Sequence, residues 1–541
     1  ARERMKNPLI AVVMLAGCVG CDGCSARVTE LVARVRGRAS TENVRTPGTS
    51  PWHDTALAGD GGTAVSARPA HVRPLAGLRA FPGAEGFGAE ATGGRGGRVI
   101  YVTNLETRGP GSLNAALAER GPRYILFKVS GLINGSVNIA QGDVTIAGQT
   151  SPGGVIVRGM YTGEDRGDCG DHCGPERDVS NIILRHMRSR PGPEDVPGET
   201  VDGDGLRIRY ARRVMVDHVS LGNAGDEAVE ITTSNQVTIQ ESLFAETIGD
   251  HAARGGMLMN YSNPRTGHAL DKIAVLRSVW NRLMGRYPEI SRESRAAAGS
   301  TMQVELANNL LWDQQYFIDT VHNSGVSGYG GSPVFFQMNW VGNVGYARAS
   351  FRYAMINFPN PTGRSSAYWH DNHLNLYQDL ADHQLNYCCV DYWQAPTPAR
   401  PRWIKDIRHD FPEVSYLRAS DVRAYAYAYA GAFPRDPMDR RLMEPVGRGV
   451  IDETACDQNP AGDTSRFDWP ENSPPAPPRD SDEDGMPDAW ERVHNLDPHA
   501  PDHNGTNLSR ALTGVEGYTN LECYLNELAD ARLSEPPRAA R

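Results

Sequence analysis

No stretch of the 541-residue sequence is apolar for long enough to cross a bilayer as a helix, which argues against a helical integral membrane protein. Positive charge is not in excess. The net charge of −10 argues against a nucleic-acid binder. Hairpin dipeptides are scarce between the apolar runs of the middle of the chain, which speaks against a β-sandwich or jelly roll. Aromatic residues are few over 26–80, where Gly, Pro, Ser and Thr are common, so this stretch reads as a disordered tether. What is present is the composition of a soluble, turn-rich protein: 40% hydrophobic and 22% charged residues, with 57 Gly and 36 Pro. The length exceeds an ordinary compact domain but suits an elongated repeat fold.

Residues 1–25 read as an export signal. The short apolar run Leu9 to Ala16 ends in Leu15-Ala16-Gly17-Cys18, which resembles a bacterial lipoprotein signal with Cys18 as the lipidated residue. An ordinary signal peptide is the alternative. Either way the protein is expected to be exported, at the outer membrane through a lipid anchor or secreted, where disulfides are permitted. Cys169 and Cys173 flank a short loop, Cys388 and Cys389 are adjacent, and a lipidated Cys18 would account for the odd member of the nine cysteines. Sequence does not fix their pairing.

From Phe81 short β-rich runs recur: Tyr124–Ser130, Val137–Ala147, Asn181–Met187, Val214–Leu221, Gln236–Phe244, Ile273–Trp280, Met302–Trp312 and Val334–Val344. Several share one form, in which β-branched residues alternate and a polar pair precedes another apolar pair. Arg213-Val-Met-Val-Asp-His-Val-Ser-Leu and Asn235-Gln-Val-Thr-Ile-Gln-Glu-Ser-Leu-Phe show it. Such runs at a loose period predict an all-β solenoid, a right-handed single-stranded parallel β-helix.

The opening Phe81-Pro-Gly-Ala-Glu-Gly-Phe-Gly, with Thr92-Gly-Gly-Arg-Gly-Gly-Arg and Val102-Thr-Asn-Leu, is similar to bacterial pectate lyases of polysaccharide lyase family one. Gly109-Pro-Gly-Ser-Leu-Asn, Tyr124-Ile-Leu-Phe-Lys-Val-Ser-Gly and Asp217-His218 continue the resemblance. Ala430-Gly-Ala-Phe-Pro-Arg-Asp, Asp439-Arg and Arg448-Gly are similar to the segment that follows the β-helix in that family. The likeness runs over 81–450, although 361–403 matches no known block. It implies an enzyme that cleaves polygalacturonate (pectate) by β-elimination, with Ca²⁺ as cofactor.

The implied chemistry removes the C5 proton of a galacturonate and expels the sugar at C4. A cation on the substrate carboxylate offsets the charge of the carbanion, so hard oxygen ligands and a base are required. Asp204, Asp226 and Glu230 stand where the family places its calcium ligands. Residues four apart on an extended strand lie about 13 Å apart, so Asp226 and Glu230 share an ion only if the chain bends, and Asn223-Ala-Gly225 is a turn close by. The competing reading is that these acids pair with Arg207, Arg209, Arg212 or Arg213. The family's base is the arginine of Arg-x-Pro, here Arg286 of Arg286-Tyr287-Pro288. A second arginine is expected three residues after the proline, where Ser291 stands with Arg292 one place beyond. No lysine precedes the Arg-x-Pro strand, and Arg254 is the nearest replacement. Arg254 and Arg292 are therefore assigned to substrate binding, and Arg185, Arg188 and Arg190 are expected to add local positive charge.

Residues 451–479 form a proline-rich linker, expected to isolate a small calcium module at 480–530. Asp480, Asp482, Asp484, Asp488 and Glu491 occupy positions one, three, five, nine and twelve of an EF-hand loop, with Gly485 at six and the Met486 carbonyl at seven. A degenerate second copy has Leu512, Gly514 and Cys523 at ligand positions and is expected to pack without binding. The pair resembles thrombospondin-type-3-like or dockerin-like modules.

Two other functions compete with the calcium-dependent lyase. One is a calcium-free pectin lyase and the other a non-catalytic carbohydrate-binding β-helix. In each case the partner is pectin, no nucleic acid is involved, and the chain is expected to act as a monomer.

Overall fold

The computed structural model describes residues 77–163, 179–192, 203–248, 255–283, 285–291, 294–314, 334–351, 354–357, 363–387, 399–451 and 474–534. The strands form three long parallel sheets, wound as a right-handed β-helix. Among the described residues the first sheet has eleven strands, from Arg98–Val102 to Ile404–Lys405; the second has nine and the third six. One coil shows the plan: Ala211–Asp217 lies in the first sheet, Ser220–Gly222 in the second and Val229–Thr232 in the third. The next coil stacks on it in register, pairing Val214 with Val237, Leu221 with Phe244 and Ile231 with Met259.

The alternation seen in the sequence is the inside–outside alternation of these strands. Val214, Val237, Ile273, Val304 and Met338 stack along the first sheet and join one continuous buried core. The polar pair inside each run is the corner between the first and second sheets. His218, Glu241, Arg277 and Asn308 all adopt left-handed backbone there, with φ of 51°, 50°, 50° and 55°. This turns the chain within two residues and sends their side chains out of the core. Just past the corner, Asn309, Asn343 and Asn372 stack, with Nδ2–Oδ1 hydrogen bonds of 3.0 and 3.2 Å.

Strands Ser366–His370 and Ile404–Lys405 are the last two rungs of the first sheet, so the β-helix continues through Ser366–Leu374, inside the block 361–403. Helices Ala419–Tyr429 and Pro437–Arg448 then cover the second sheet, burying Tyr425, Tyr429, Met438 and Leu442 against Leu243, Val279 and Leu310. Arg185, Arg188 and Arg190 do not provide positive charge for a substrate. All three are buried: Arg185 pairs with Asp217 at 2.8 Å, Arg188 with Asp436 at 3.3 Å and Arg190 with Asp439 at 2.6 Å. Arg188 and Arg190 tie the helical cover to the β-helix, while Arg185 is held within the first sheet, because a buried cation requires a partner of this kind.

The C-terminal module is not isolated by its linker. Met486, Leu521, Tyr524 and Leu525 pack on Tyr124, Leu126 and Ala147 of the first sheet. Arg95 pairs with Glu522 at 2.9 Å, and Arg532 donates to the Ser151 carbonyl at 3.1 Å. The cause is the strand Arg123–Phe127, buried along its whole length, whose outer face is apolar and needs a cover. Cys523 is a free, buried thiol within this packing, so it is an unpaired cysteine alongside any role for Cys18. The segments with Cys18, Cys169, Cys173, Cys388 and Cys389 lie outside the described residues.

Candidate functional site

The site lies along the third sheet, at the turns that lead into its strands. Asp204 precedes Leu206–Arg209, Asp226 and Glu227 precede Val229–Thr232, and Arg286 precedes Glu289–Ile290. Register brings these turns together: Leu206 pairs with Val229, Val229 with Met257, and Leu258 with Glu289. Residues far apart in sequence thus stand one above another on neighbouring coils.

Asp204 is fully buried and links two coils. Its Oδ1 accepts from the Glu227 backbone N–H at 3.0 Å, and its Oδ2 accepts from Arg207 Nε at 2.6 Å. Carboxylate oxygens of Asp204, Asp226 and Glu227 lie within 4.8 Å of one another. Two ligands of one calcium stand at most about 5 Å apart, since each bond is about 2.3–2.6 Å, so this trio fits the ion by spacing and by its hard oxygen donors. Burial raises the proton affinity of Asp204, opposed by Arg207 and reinforced by Asp226.

Glu230 is not part of that trio. Its carboxylate sits 2.6 Å from Arg207 Nε and 3.2 Å from Arg209 Nη2. Burial, then the neighbouring Asp204, pushes its pKa up to about 7. Asp204 and Asp226 group with Glu227, while Glu230 lies against Asp204 and two arginines.

Arg286 lies across Gly255. A Cβ built on Gly255 would fall 2.6 Å from Arg286 Cδ, so only glycine leaves this path open. The guanidinium then reaches Glu227 through Nη1, while its Nε donates to Glu289 at 2.9 Å. Ser291, which occupies the place of the second arginine, is buried and donates to Glu289 Oε1 at 2.9 Å. It steadies the carboxylate that steadies Arg286. Arg254 and Arg292 lie outside the described residues.

Glu227 is the residue that sequence reasoning missed. Its signal was positional: Asp204 and Glu227 each stand two places before residues that pair across coils, Leu206 and Val229. Knowledge of that register would have aligned them.

In the C-terminal loop, Asp480, Asp482 and Asp484 bring carboxylate oxygens within 4.8 Å of one another. Asp488 is turned away from them. It accepts from the Ser481 backbone N–H at 2.8 Å and lies 3.2 Å from Arg492. Met486 is fully buried against the β-helix, and its backbone N–H donates to Asp484 at 3.0 Å. Glu491 groups with Asp484 and with Asp502, a residue absent from the predicted ligand set.

No protein-family profile matches the chain. It is 28% identical over 477 residues to the probable pectate lyase C of Emericella nidulans, spanning 84% of this chain and 94% of that protein. It is 29% identical over 464 residues to the probable pectate lyase C of Aspergillus oryzae, spanning 83% and 94%. Among solved structures, the cedar pollen allergen jun a 1 matches at 16% identity with a TM-score of 0.41, covering 64% of this chain and 92% of that one. The chain thus combines a parallel β-helix with similarity, over most of its length, to curated lyases. Within that class its similarity runs to the pectate lyases.

Proposed function

We propose that the chain cleaves polygalacturonate by β-elimination, with calcium held by Asp204, Asp226 and Glu227 and with Arg286 as the base. The observation that carries this reading is that Glu227 belongs to the carboxylate trio and also touches Arg286. A ligand set and a base are thus adjacent. The names of the curated relatives point to the same substrate.

Calcium at the trio would supply positive charge to the galacturonate carboxylate and offset the charge developing at C5. Arg286 takes the C5 proton. The electron pair left at C5 forms the C4–C5 double bond, the C4–O bond breaks, and the departing oxygen takes a proton from solvent. The products are 4,5-unsaturated oligogalacturonides. Arginine is a base only after losing a proton, so the rate is expected to rise toward alkaline pH. Glu289 and Ser291 fix the direction of the guanidinium, which keeps the transfer geometry narrow.

The test is ultraviolet absorbance of the unsaturated product from polygalacturonate, with calcium and with excess chelator. Full activity in chelator sinks the calcium assignment and favours a calcium-free pectin lyase. Polygalacturonate binding without turnover, from neutral to strongly alkaline pH with calcium present, favours the non-catalytic carbohydrate-binding reading.

The reading extends to both ends of the chain. Asp480, Asp482 and Asp484 hold a calcium in the C-terminal loop, a proposal supported by their convergence. Export with Cys18 lipidation is proposed from Leu15-Ala16-Gly17-Cys18 alone, since this segment lies outside the described residues. Labelled palmitate that enters the protein equally after Cys18→Ser would rule the anchor out.

A further inference from the structure

Glu491, the twelfth residue of the C-terminal loop, groups with Asp484 and Asp502 and not with the trio of Asp480, Asp482 and Asp484. Glu491 is fully buried, and neither Oε1 nor Oε2 has a hydrogen-bond partner. The neighbouring acids are engaged differently. Asp484 Oδ1 accepts from the Met486 N–H and its Oδ2 from the Asp502 N–H, each at 3.0 Å, while Asp488 is taken by Ser481 and Arg492. Glu491 instead faces Asp484 and Asp502, with ligand oxygens of all three within 4.8 Å of one another. Of the cationic side chains, His503 comes near, with Nδ1 3.9 Å from Asp484 Oδ2. A buried carboxylate with no donor, set against two further carboxylates, is costly unless a cation sits among them.

We propose that Asp484, Glu491 and Asp502 form a second divalent-cation site, distinct from the site of Asp480, Asp482 and Asp484 and sharing Asp484 with it. The two trios have Asp484 alone in common. Each oxygen of that carboxylate can face one ion. The donors are all hard oxygens, which selects calcium or magnesium over softer metals. The site joins two segments, the end of the first loop and the turn at Asp502. That turn also grips the β-helix, because Asn504 donates to the Gly97 carbonyl at 3.0 Å. The segment between the two copies therefore contributes a ligand, whatever the second loop has lost. This inference builds on the calcium loop proposed above.

Equilibrium dialysis of the full chain against about 1 mM calcium, a concentration at which extracellular modules are occupied, counts the ions. Asp482→Asn is expected to lose one ion, Asp502→Asn one ion, and the double variant two. If the double variant loses only one, a single ion is shared and the second site is wrong. If Asp502→Asn binds as many ions as the wild type, the second site is also wrong. An unchanged count in Asp482→Asn alone overturns the first loop instead and leaves the second site standing. Glu491→Gln guards against misfolding. It is expected to lose one ion yet melt no lower than wild type in chelator, because it removes like-charge repulsion. An undiminished count there overturns the proposal.

Discussion

The Tyr101 hydroxyl, on the first strand of the β-helix, donates to the carboxylate of Asp480, the first residue of the C-terminal acidic loop. Lys128 sits over the Tyr101 ring at 3.8 Å and pairs with Glu483 of the same loop at 3.5 Å. The loop is therefore part of the surface of the β-helix. Truncation after Asn472 is expected to uncover Tyr124 and Leu126 and to lower the melting temperature by several degrees. Burial of one such side chain as Leu126 is worth about 1.5–3 kcal/mol. The turnover number below that temperature should be kept, because the carboxylate trio lies on the third sheet and the module on the first. Calorimetry beside product absorbance checks both halves, and an unchanged melting temperature would refute the docking.

The β-helix was legible because each corner leaves a polar pair, such as Asp217-His218, inside an apolar run. The pattern is local and repeats. The docking of the module was visible only in part: Tyr124-Ile-Leu-Phe is apolar on both faces, which signals a covered strand but not its cover. Candidate site residues are visible in the sequence where they follow a motif, as Arg286 does. Glu227 is not, because its place depends on which residues of separate coils pair. Spacing alone also does not show that the Asp488 side chain accepts from Ser481. A twelve-residue loop fixes distances along the chain, not the direction in which each carboxylate points.

Gly255 offers a change that displaces the proposed base without replacing it. In Gly255→Ala the new methyl would lie 2.6 Å from Arg286 Cδ, so the arginine must move. A displacement of about 1 Å costs roughly 100-fold in a reaction that depends on alignment. We expect a loss of turnover of that order, an unchanged circular dichroism spectrum and calcium binding near wild type. Wild-type turnover would show that Arg286 need not lie along this path.

The C-terminal module should respond to pH in opposite senses with and without calcium. Burial and the neighbouring Asp484, Asp482 and Asp480 push Glu491 up to about 8, and burial with Asp484 pushes Asp482 up to about 6. Both folded values lie above those of the unfolded chain. The calcium-free module is therefore most stable below about pH 4, where these acids are protonated in both states. That stability is lost as pH rises through about 6 and then about 8. With calcium the trend reverses, because ligands must be ionised to bind it. Melting curves in chelator and in calcium at mildly acidic and mildly alkaline pH should cross, and parallel curves would contradict the assignment.

Arg286→Lys separates a base from a docking residue. The substitution keeps a positive charge but loses the planar fork that now spans Glu227 and Glu289. A base acts chiefly in the transition state, so its loss appears in kcat more than in KM. General-base catalysis contributes about 10²–10⁴-fold, and a fall of that size in kcat with KM changed only modestly is the expected result. Initial rates of product absorbance over a range of polygalacturonate concentrations supply both constants. If Arg286 serves only to hold the substrate carboxylate, KM rises and kcat stays near wild type. The base would then have to be sought among the other groups along the third sheet.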